Sequence, residues 1–208
     1  MHTYVIGDIH GMLDKLERLL DKIPFDRDQD RLAFVGDYID RGPDSKGVID
    51  RLLSLMDQEL RLVFLKGNHE QMFLNFLAGR EPHFFLLNGG NTTLASYRKH
   101  SKDSSIIPAR HLAFFDLLLP YYEMDDFILV HAGLRPGVGL ERQEEEDLLW
   151  IGQEFIQSKF DFGKRVVFGH TRFKTPYVDS RKIGIDTGAA FGNLLSCVRL
   201  PDVIFYSV

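Results

Sequence analysis

An α/β fold with parallel strands in its first part follows from two patterns in the chain. Short apolar, β-rich segments recur, and most run into Gly followed at once by Asp, Asn or His. Between the first three of these segments, apolar residues return at helical spacing.

Thr3–Ile6 is the first expected strand and runs into Gly7-Asp8-Ile9-His10-Gly11. Met12, Leu13, Leu16, Leu19, Leu20 and Ile23 then share one helical face. Leu32–Val35 is the second strand and ends in Gly36-Asp37-Tyr38-Ile39-Asp40-Arg41-Gly42; Val48, Ile49, Leu52, Leu53 and Met56 form the next stripe. Leu62–Leu65 leads into Lys66-Gly67-Asn68-His69-Glu70 and the stripe Met72, Phe73, Phe76 and Leu77. All three stripes read as core-facing helix faces. From about Glu81 to Pro120 the pattern is mostly helical, with Gly89–Tyr97 and Pro108–Leu119 as candidates. Ser104 and Ser105 are expected caps there, and Pro108 lies near the first turn. Phe127–Val130 leads into His131-Ala132-Gly133. Beyond Phe162 the chain turns strand-rich: Arg165–Phe168, which runs into Gly169-His170-Thr171, then Lys182–Ile185, Leu194–Leu200 and Val203–Tyr206. These are expected to form hairpins of a second sheet. No repeat or low-complexity linker divides the chain, so residues 1–208 are expected to form one domain with a helical, cap-like insertion at about 81–120.

Composition narrows the function classes. The chain has 208 residues, 44% hydrophobic and 26% charged, which is ordinary for a globular domain. The longest apolar stretches, such as Phe84–Leu87 and Leu117–Leu119, fall far below the roughly 18 residues a membrane span needs. A net charge of −5 argues against non-specific nucleic-acid or membrane binding. Met1–Gly7 runs straight into a strand, with no basic-then-apolar leader, and the single Cys197 suits a reducing compartment. A cytoplasmic location is therefore expected. Cys197 reads as a small buried hydrophobe, Trp150 and the phenylalanines read as core, and Glu144–Asp147 reads as a solvated surface or helix start.

The strand ends carry the functional signal. In open α/β sheets ligands sit outside the carboxyl ends of the strands. Five segments deliver a ligand-type residue there: Asp8 and His10, Asp37, Asn68, His131, and His170. Two carboxylates, one amide oxygen and three imidazoles suit Mn, Fe, Zn or Co better than Ca, which favours all-oxygen sites. Six ligands are too many for one ion with an open position, but they divide over two ions if one carboxylate bridges. Two divalent ions carry +4 and Asp8 with Asp37 offset −2, so such a site keeps an appetite for anions.

These motifs, together with Asn88-Gly89-Gly90 and Ile185-Asp186-Thr187-Gly188-Ala189, resemble the full series of the calcineurin-like metallophosphoesterases. Within that superfamily the chain resembles the phosphoprotein phosphatase branch, and specifically its compact bacterial and bacteriophage lambda-type serine/threonine phosphatases. The resemblance implies two mixed β-sheets packed face to face with flanking helices. It implies that Asp8 and His10 bind the first metal, that Asp37 bridges, and that Asn68, His131 and His170 complete the second. Mn is the ion it implies first. It further implies direct in-line attack on phosphorus by a hydroxide held between the ions, with His69 as general acid to the leaving oxygen and Asp40 pairing with it. Arg41, Asn68 and His69 would bind the phosphate, and Arg41 offers planar donors to its oxygens. Glu70 is expected to support the site through hydrogen bonds, and Asp186 to stand behind the ligands.

One position departs from the pattern. Bacterial members commonly carry a second phosphate-binding Arg two residues after the Trp of the Leu-Leu-Trp stretch, where this chain has Gly152. Gly152→Arg is expected to raise kcat/KM unless Arg135, Arg142 or Arg172 fills the role. The leading expectation for function is a serine/threonine protein phosphatase acting on phosphoproteins. The second is a symmetrical diadenosine tetraphosphatase acting on a nucleotide, and the third a weakened phosphatase used for binding.

Overall fold

The computed structural model describes residues 1–100 and 107–208, so the expected caps Ser104 and Ser105 lie outside the described residues. Three strand–helix units open the chain: β1 (Thr3–Ile6) and α1 (Leu13–Lys22), β2 (Arg31–Phe34) and α2 (Ser45–Met56), β3 (Arg61–Phe64) and α3 (Asn68–Leu77). Each helix follows from its stripe: α1 buries Leu16 and Leu19, and α2 buries Val48, Ile49, Leu52 and Leu53. Asp44 caps α2, its carboxylate accepting from the Gly47 N–H at 2.9 Å. Because each connection is a helical crossover, β1, β2 and β3 run parallel.

The middle of the chain is helical, as α4 (Pro82–Phe85), a π-helical turn at Leu86–Gly90, α5 (Asn91–His100) and α6 (Ala109–Asp116). These elements pack against α3, β3 and the loop after β2 through aromatic contacts, Phe85 on Phe73 and Phe76 and Phe114 on Phe64 and Tyr38. Gly89 has a positive φ of 101°, which breaks the helix and turns its carbonyl toward the Arg41 N–H.

The second half builds β4 (Tyr121–Glu123), β5 (Phe127–Val130), α7 (Glu145–Trp150), α8 (Gln153–Gln157), β6 (Arg165–Phe168), β7 (Tyr177–Val178) and β8 (Lys182–Gly184). A 3₁₀ turn at Ala189–Phe191 follows, and then β9 (Ser196–Leu200) and β10 (Ile204–Ser207). One sheet has the order β10-β9-β1-β2-β3 and the other β4-β5-β6-β8-β7. Val5, Ala33, Val35, Val63 and Val198 of the first meet Phe127, Leu129, Val167 and Ile183 of the second in a shared core. Helices cover both outer faces, with α1 to α3 on one side and α7 and α8 on the other. The expected two mixed sheets with flanking helices are therefore the fold.

One expectation about strands is corrected, and two short strands went unanticipated. The strand-rich C-terminal part does not form hairpins of one second sheet. β6 and β8 run parallel to β5, and the β9–β10 hairpin belongs to the first sheet, where β9 pairs antiparallel with β1. The reason is two-sided burial: Cys197 faces the helix-side core while Val198 and Leu200 face the opposite sheet, which suits an inner strand. The short strands β4 and β7 went unread because three and two residues carry too little alternation. Among the described residues no helix is long and apolar enough to cross a membrane.

Candidate active site

The carboxyl ends of β1, β2, β3, β5 and β6 all open on one edge of the stacked sheets, and the loops there are tightly constrained. His10, Asp37, Asp40, Arg41 and His170 have positive φ values of 47°, 54°, 70°, 67° and 58° without being glycine. Such conformations cost about 1–3 kcal/mol each and persist only where the surroundings over-determine them. Here they do. The Asp37 carbonyl accepts from the His10 N–H at 2.8 Å and the Ile9 N–H at 3.1 Å. Buried Glu70 accepts from the backbone N–H groups of Asp37, Tyr38, Gly67 and, at 3.4 Å, Ile39. Glu70 thus supports the loop through hydrogen bonds and does not itself point at the cluster of ligand atoms. Gly169 is required by close approach, since a Cβ there would lie 2.0 Å from the Asp8 Oδ1.

These loops bring the six expected ligands together. Asp37 is central: Oδ2 lies 3.4 Å from the His10 Nε2, and Oδ1 lies 3.5 Å from the His131 Nε2. The Asn68 Oδ1 sits 2.9 Å from the His131 Nε2 and 3.1 Å from the His170 Nδ1. His10 and His131 each spend Nδ1 on a backbone carbonyl, of Ile39 and Val35, both at 2.8 Å. That hydrogen bond fixes the ring and leaves the Nε2 lone pair aimed inward, the usual device for a metal-binding imidazole. Two groups of donor atoms result, His10 with Asp37 and His69, and Asp37 with His131 and His170. The first contains His69 where the sequence led us to expect Asp8. Asp8 stands beside it, with Oδ2 accepting from the His170 N–H at 2.9 Å and Oδ1 buried without a partner.

The remaining groups surround this centre. The His69 Nδ1 is 2.6 Å from the Asp40 Oδ2, and its Nε2 is buried, unpartnered and 3.9 Å from the Asp37 Oδ2. Thr93, from α5, donates to the other Asp40 oxygen at 2.6 Å. Arg41 contacts the His10 Nε2 through its guanidinium. The buried Asp186 Oδ1 accepts from the Gly188 N–H at 2.8 Å, so its side chain shapes the following turn.

Electrostatics test whether cations fit. Burial, reinforced by the Asp186 and Asp37 charges, pushes the Asp8 carboxyl well up, and burial brings Asp40 to about 7. Burial lowers His10 well below the ordinary range, His131 to about 3 and His170 to about 4. Neutral imidazoles are the metal-binding form. Buried polar atoms are almost always hydrogen-bonded, so the unpartnered Asp8 Oδ1 and His69 Nε2 call for a ligand. Packed carboxylates and inward lone pairs of this mixed O/N kind fit divalent cations.

The sequence missed the rim. Trp150 is 37% exposed, Phe84 46% and Phe191 51%, so these aromatics are not core. Trp150 lies edge-on to His170 at 6.0 Å and beside Phe84 at 5.7 Å. Of the arginines considered for the missing guanidinium, Arg135 is committed to Asp147 and Glu154. The Arg172 guanidinium lies 3.9 Å from the Phe191 ring centroid. A Cβ on Gly152 would meet nothing within 4 Å, so packing does not require glycine there. Cys197 is buried and its thiol pushed up, as expected of an inert core residue.

Comparisons with known proteins give the family. The model of the calcineurin-like phosphoesterase family matches residues 1–187. An asymmetrical bis(5'-nucleosyl)-tetraphosphatase PrpE from Geobacillus thermodenitrificans is 30% identical, over 100% of this chain and 94% of its own length. The protein of that name from Halalkalibacterium halodurans is 29% identical with the same coverage. A crystal structure provisionally described as a diadenosine tetraphosphatase superposes with a TM-score of 0.76 at 24% identity, over 100% of this chain and 92% of that one. A serine/threonine phosphatase from Saccharomyces cerevisiae gives 0.66 at 16% identity, over 100% and 79%. Both structures show likeness of fold. The chain belongs to the calcineurin-like phosphoesterase family and is a metal-dependent phosphoric ester hydrolase.

Proposed function

We propose that this protein hydrolyses a phosphoanhydride bond of a dinucleoside tetraphosphate, adding water to release a nucleoside monophosphate and a nucleoside triphosphate. The observation that carries this reading is the full-length relationship to proteins named as asymmetrical bis(5'-nucleosyl)-tetraphosphatases. It favours the nucleotide hydrolase over the serine/threonine phosphatase, for which only a likeness of fold speaks. It also favours unequal cleavage over the symmetrical cleavage of the second expectation.

In this reading Asp8, His10 and Asp37 hold one divalent cation, and Asp37, Asn68, His131 and His170 hold a second. Each Asp37 oxygen already faces a different imidazole, which is the arrangement a bridging carboxylate needs. Bound cations supply Lewis-acid charge for the phosphoryl oxygens and a nucleophile at neutral pH. Arg41 reaches the same pocket and neutralises charge on the phosphoryl group. His69 delivers a proton from Nε2 to the leaving oxygen, while Asp40, itself held by Thr93, fixes the ring through Nδ1. The leaving oxygen of a phosphoanhydride belongs to a phosphate with a last pKa near ~6, far less basic than a serine alkoxide. The proton from His69 therefore matters less on a dinucleoside polyphosphate than on a phosphoserine peptide.

The test is a parallel assay of diadenosine tetraphosphate, a phosphoserine peptide and p-nitrophenyl phosphate with Mn²⁺, with products separated by ion-exchange chromatography. The expected result is the highest kcat/KM on diadenosine tetraphosphate, with AMP and ATP as products. Preference for the peptide, or two molecules of ADP, would overturn the assignment.

A further inference from the structure

We propose that Arg172, held against the exposed Phe191 ring, is a specificity residue that binds the phosphoryl groups neighbouring the one attacked, so that the site is built for a polyphosphate chain. The proposal deepens the nucleotide reading and rests on it for the natural substrate.

The two loops that carry these residues are knitted together. The Phe173 N–H donates to the Asp186 carbonyl at 2.9 Å, and the Asn193 side-chain amide donates to the Lys174 carbonyl at 3.0 Å. Gly188 and Gly192, with φ of 77° and 81°, turn the chain sharply on either side of Ala189–Phe191. The Lys15 ammonium holds this turn through the Ala189 carbonyl at 2.8 Å and the Asn193 carbonyl. An exposed phenylalanine is thus presented from an ordered turn, at the rim of the pocket.

That ring touches two guanidiniums. Arg172 lies 3.9 Å from its centroid and Arg41 5.2 Å. Arg41 also contacts His10, which puts it at the phosphoryl group undergoing attack. Arg172 stands two residues after His170. Among the described residues it has no carboxylate within ion-pair distance. The nearby Asp186 feels both guanidinium charges, but its Oδ1 is engaged by Gly188. Stacking on the ring leaves the planar N–H donors of Arg172 unspent, in the form that recognises phosphate oxygens in pairs. Both guanidiniums lie within 5.2 Å of one ring centroid, close enough together to serve linked phosphoryl groups of a single chain.

The Mn²⁺-loaded protein tests this by competition. Hydrolysis of p-nitrophenyl phosphate is inhibited with either orthophosphate or inorganic tripolyphosphate, with Mn²⁺ in excess of both. In Arg172→Ala the inhibition constant for tripolyphosphate should rise about 10- to 100-fold, the strength of lost charged hydrogen bonds. The constant for orthophosphate should rise by a clearly smaller factor. Phe191→Leu should produce part of the same selective loss, and the double variant should fall short of the product of the two effects, because both remove one contact. Equal factors for both inhibitors, or no change in either, would overturn the proposal. Turnover of diadenosine tetraphosphate by the unmodified protein is a separate arm: its absence would defeat the assigned substrate, while the inhibitor comparison would still decide the role of Arg172.

Discussion

The floor and the rim of the pocket are built on opposite terms. On the floor, Asp8, His10, Asp37, Asn68, His69 and His131 are buried and each is held by hydrogen bonds, Asn68 through the rings of His131 and His170. On the rim, Trp150, Phe84, Phe191 and Arg172 are exposed and meet mainly one another or the edge of the floor. Chemistry common to phosphoester hydrolysis needs fixed distances between charged groups, and only burial with paired hydrogen bonds supplies them. Choice of substrate needs surface that can change without disturbing those distances. In the proposed reading, the reaction is read from the floor and the substrate from the rim.

The largest effect should come from the floor. Asp37→Asn removes the carboxylate that faces both donor groups, and should lower metal content and turnover of every substrate together; metal analysis of the purified variant checks this. Full activity with normal metal content would separate Asp37 from the centre. His69→Asn comes next. The expected loss is about 10²–10⁴-fold in kcat on a phosphoserine peptide, the usual range for a general acid, with metal content retained. The loss on diadenosine tetraphosphate should be smaller, and equal losses on the two would contradict proton delivery to the leaving oxygen.

Glu70→Gln probes the scaffold beneath the floor. It replaces an acceptor of backbone N–H groups, and should destabilise the chain by about 1–3 kcal/mol, seen as a lower urea midpoint. An unchanged midpoint would mean that the Asp37 loop is held by other contacts. The smallest effect belongs to the rim at Gly152. An arginine there meets open space but enters a groove lined by Glu144, Glu146, Asp147 and Glu154. If Arg172 serves phosphate as proposed, Gly152→Arg should leave kcat/KM on diadenosine tetraphosphate well under a tenfold change. A tenfold rise, worth about 1.4 kcal/mol, would show that the site lacks a guanidinium.

How much of this was visible in the sequence follows the same division. Thr3–Ile6, Phe127–Val130 and Arg165–Phe168 were found at their observed bounds, because an apolar run stopped by Gly, or by His131 in the second case, is a local signal. The candidate ligands at strand ends were visible because each lies within a few residues of its strand. The sheet that β9 joins was not, since pairing Val5 with Val198 is a contact across almost the entire chain. Trp150 and Phe191 were misplaced in the core because composition cannot separate an aromatic that packs from one that lines a mouth. Arg135 and Arg172 looked equivalent as residues; an ion pair with Asp147 engages one, and an aromatic ring presents the other. The helical segment at 81–120 showed its type but not its contact with Asp40 through Thr93, a single hydroxyl 53 residues distant in sequence.

Anomalous scattering at the manganese edge, from crystals grown with Mn²⁺, is the most direct test of the dinuclear centre. Two peaks are predicted, one on each side of the Asp37 carboxylate, the first among His10 and Asp8 and the second among Asn68, His131 and His170. A single peak, or none within reach of Asp37, would contradict the account.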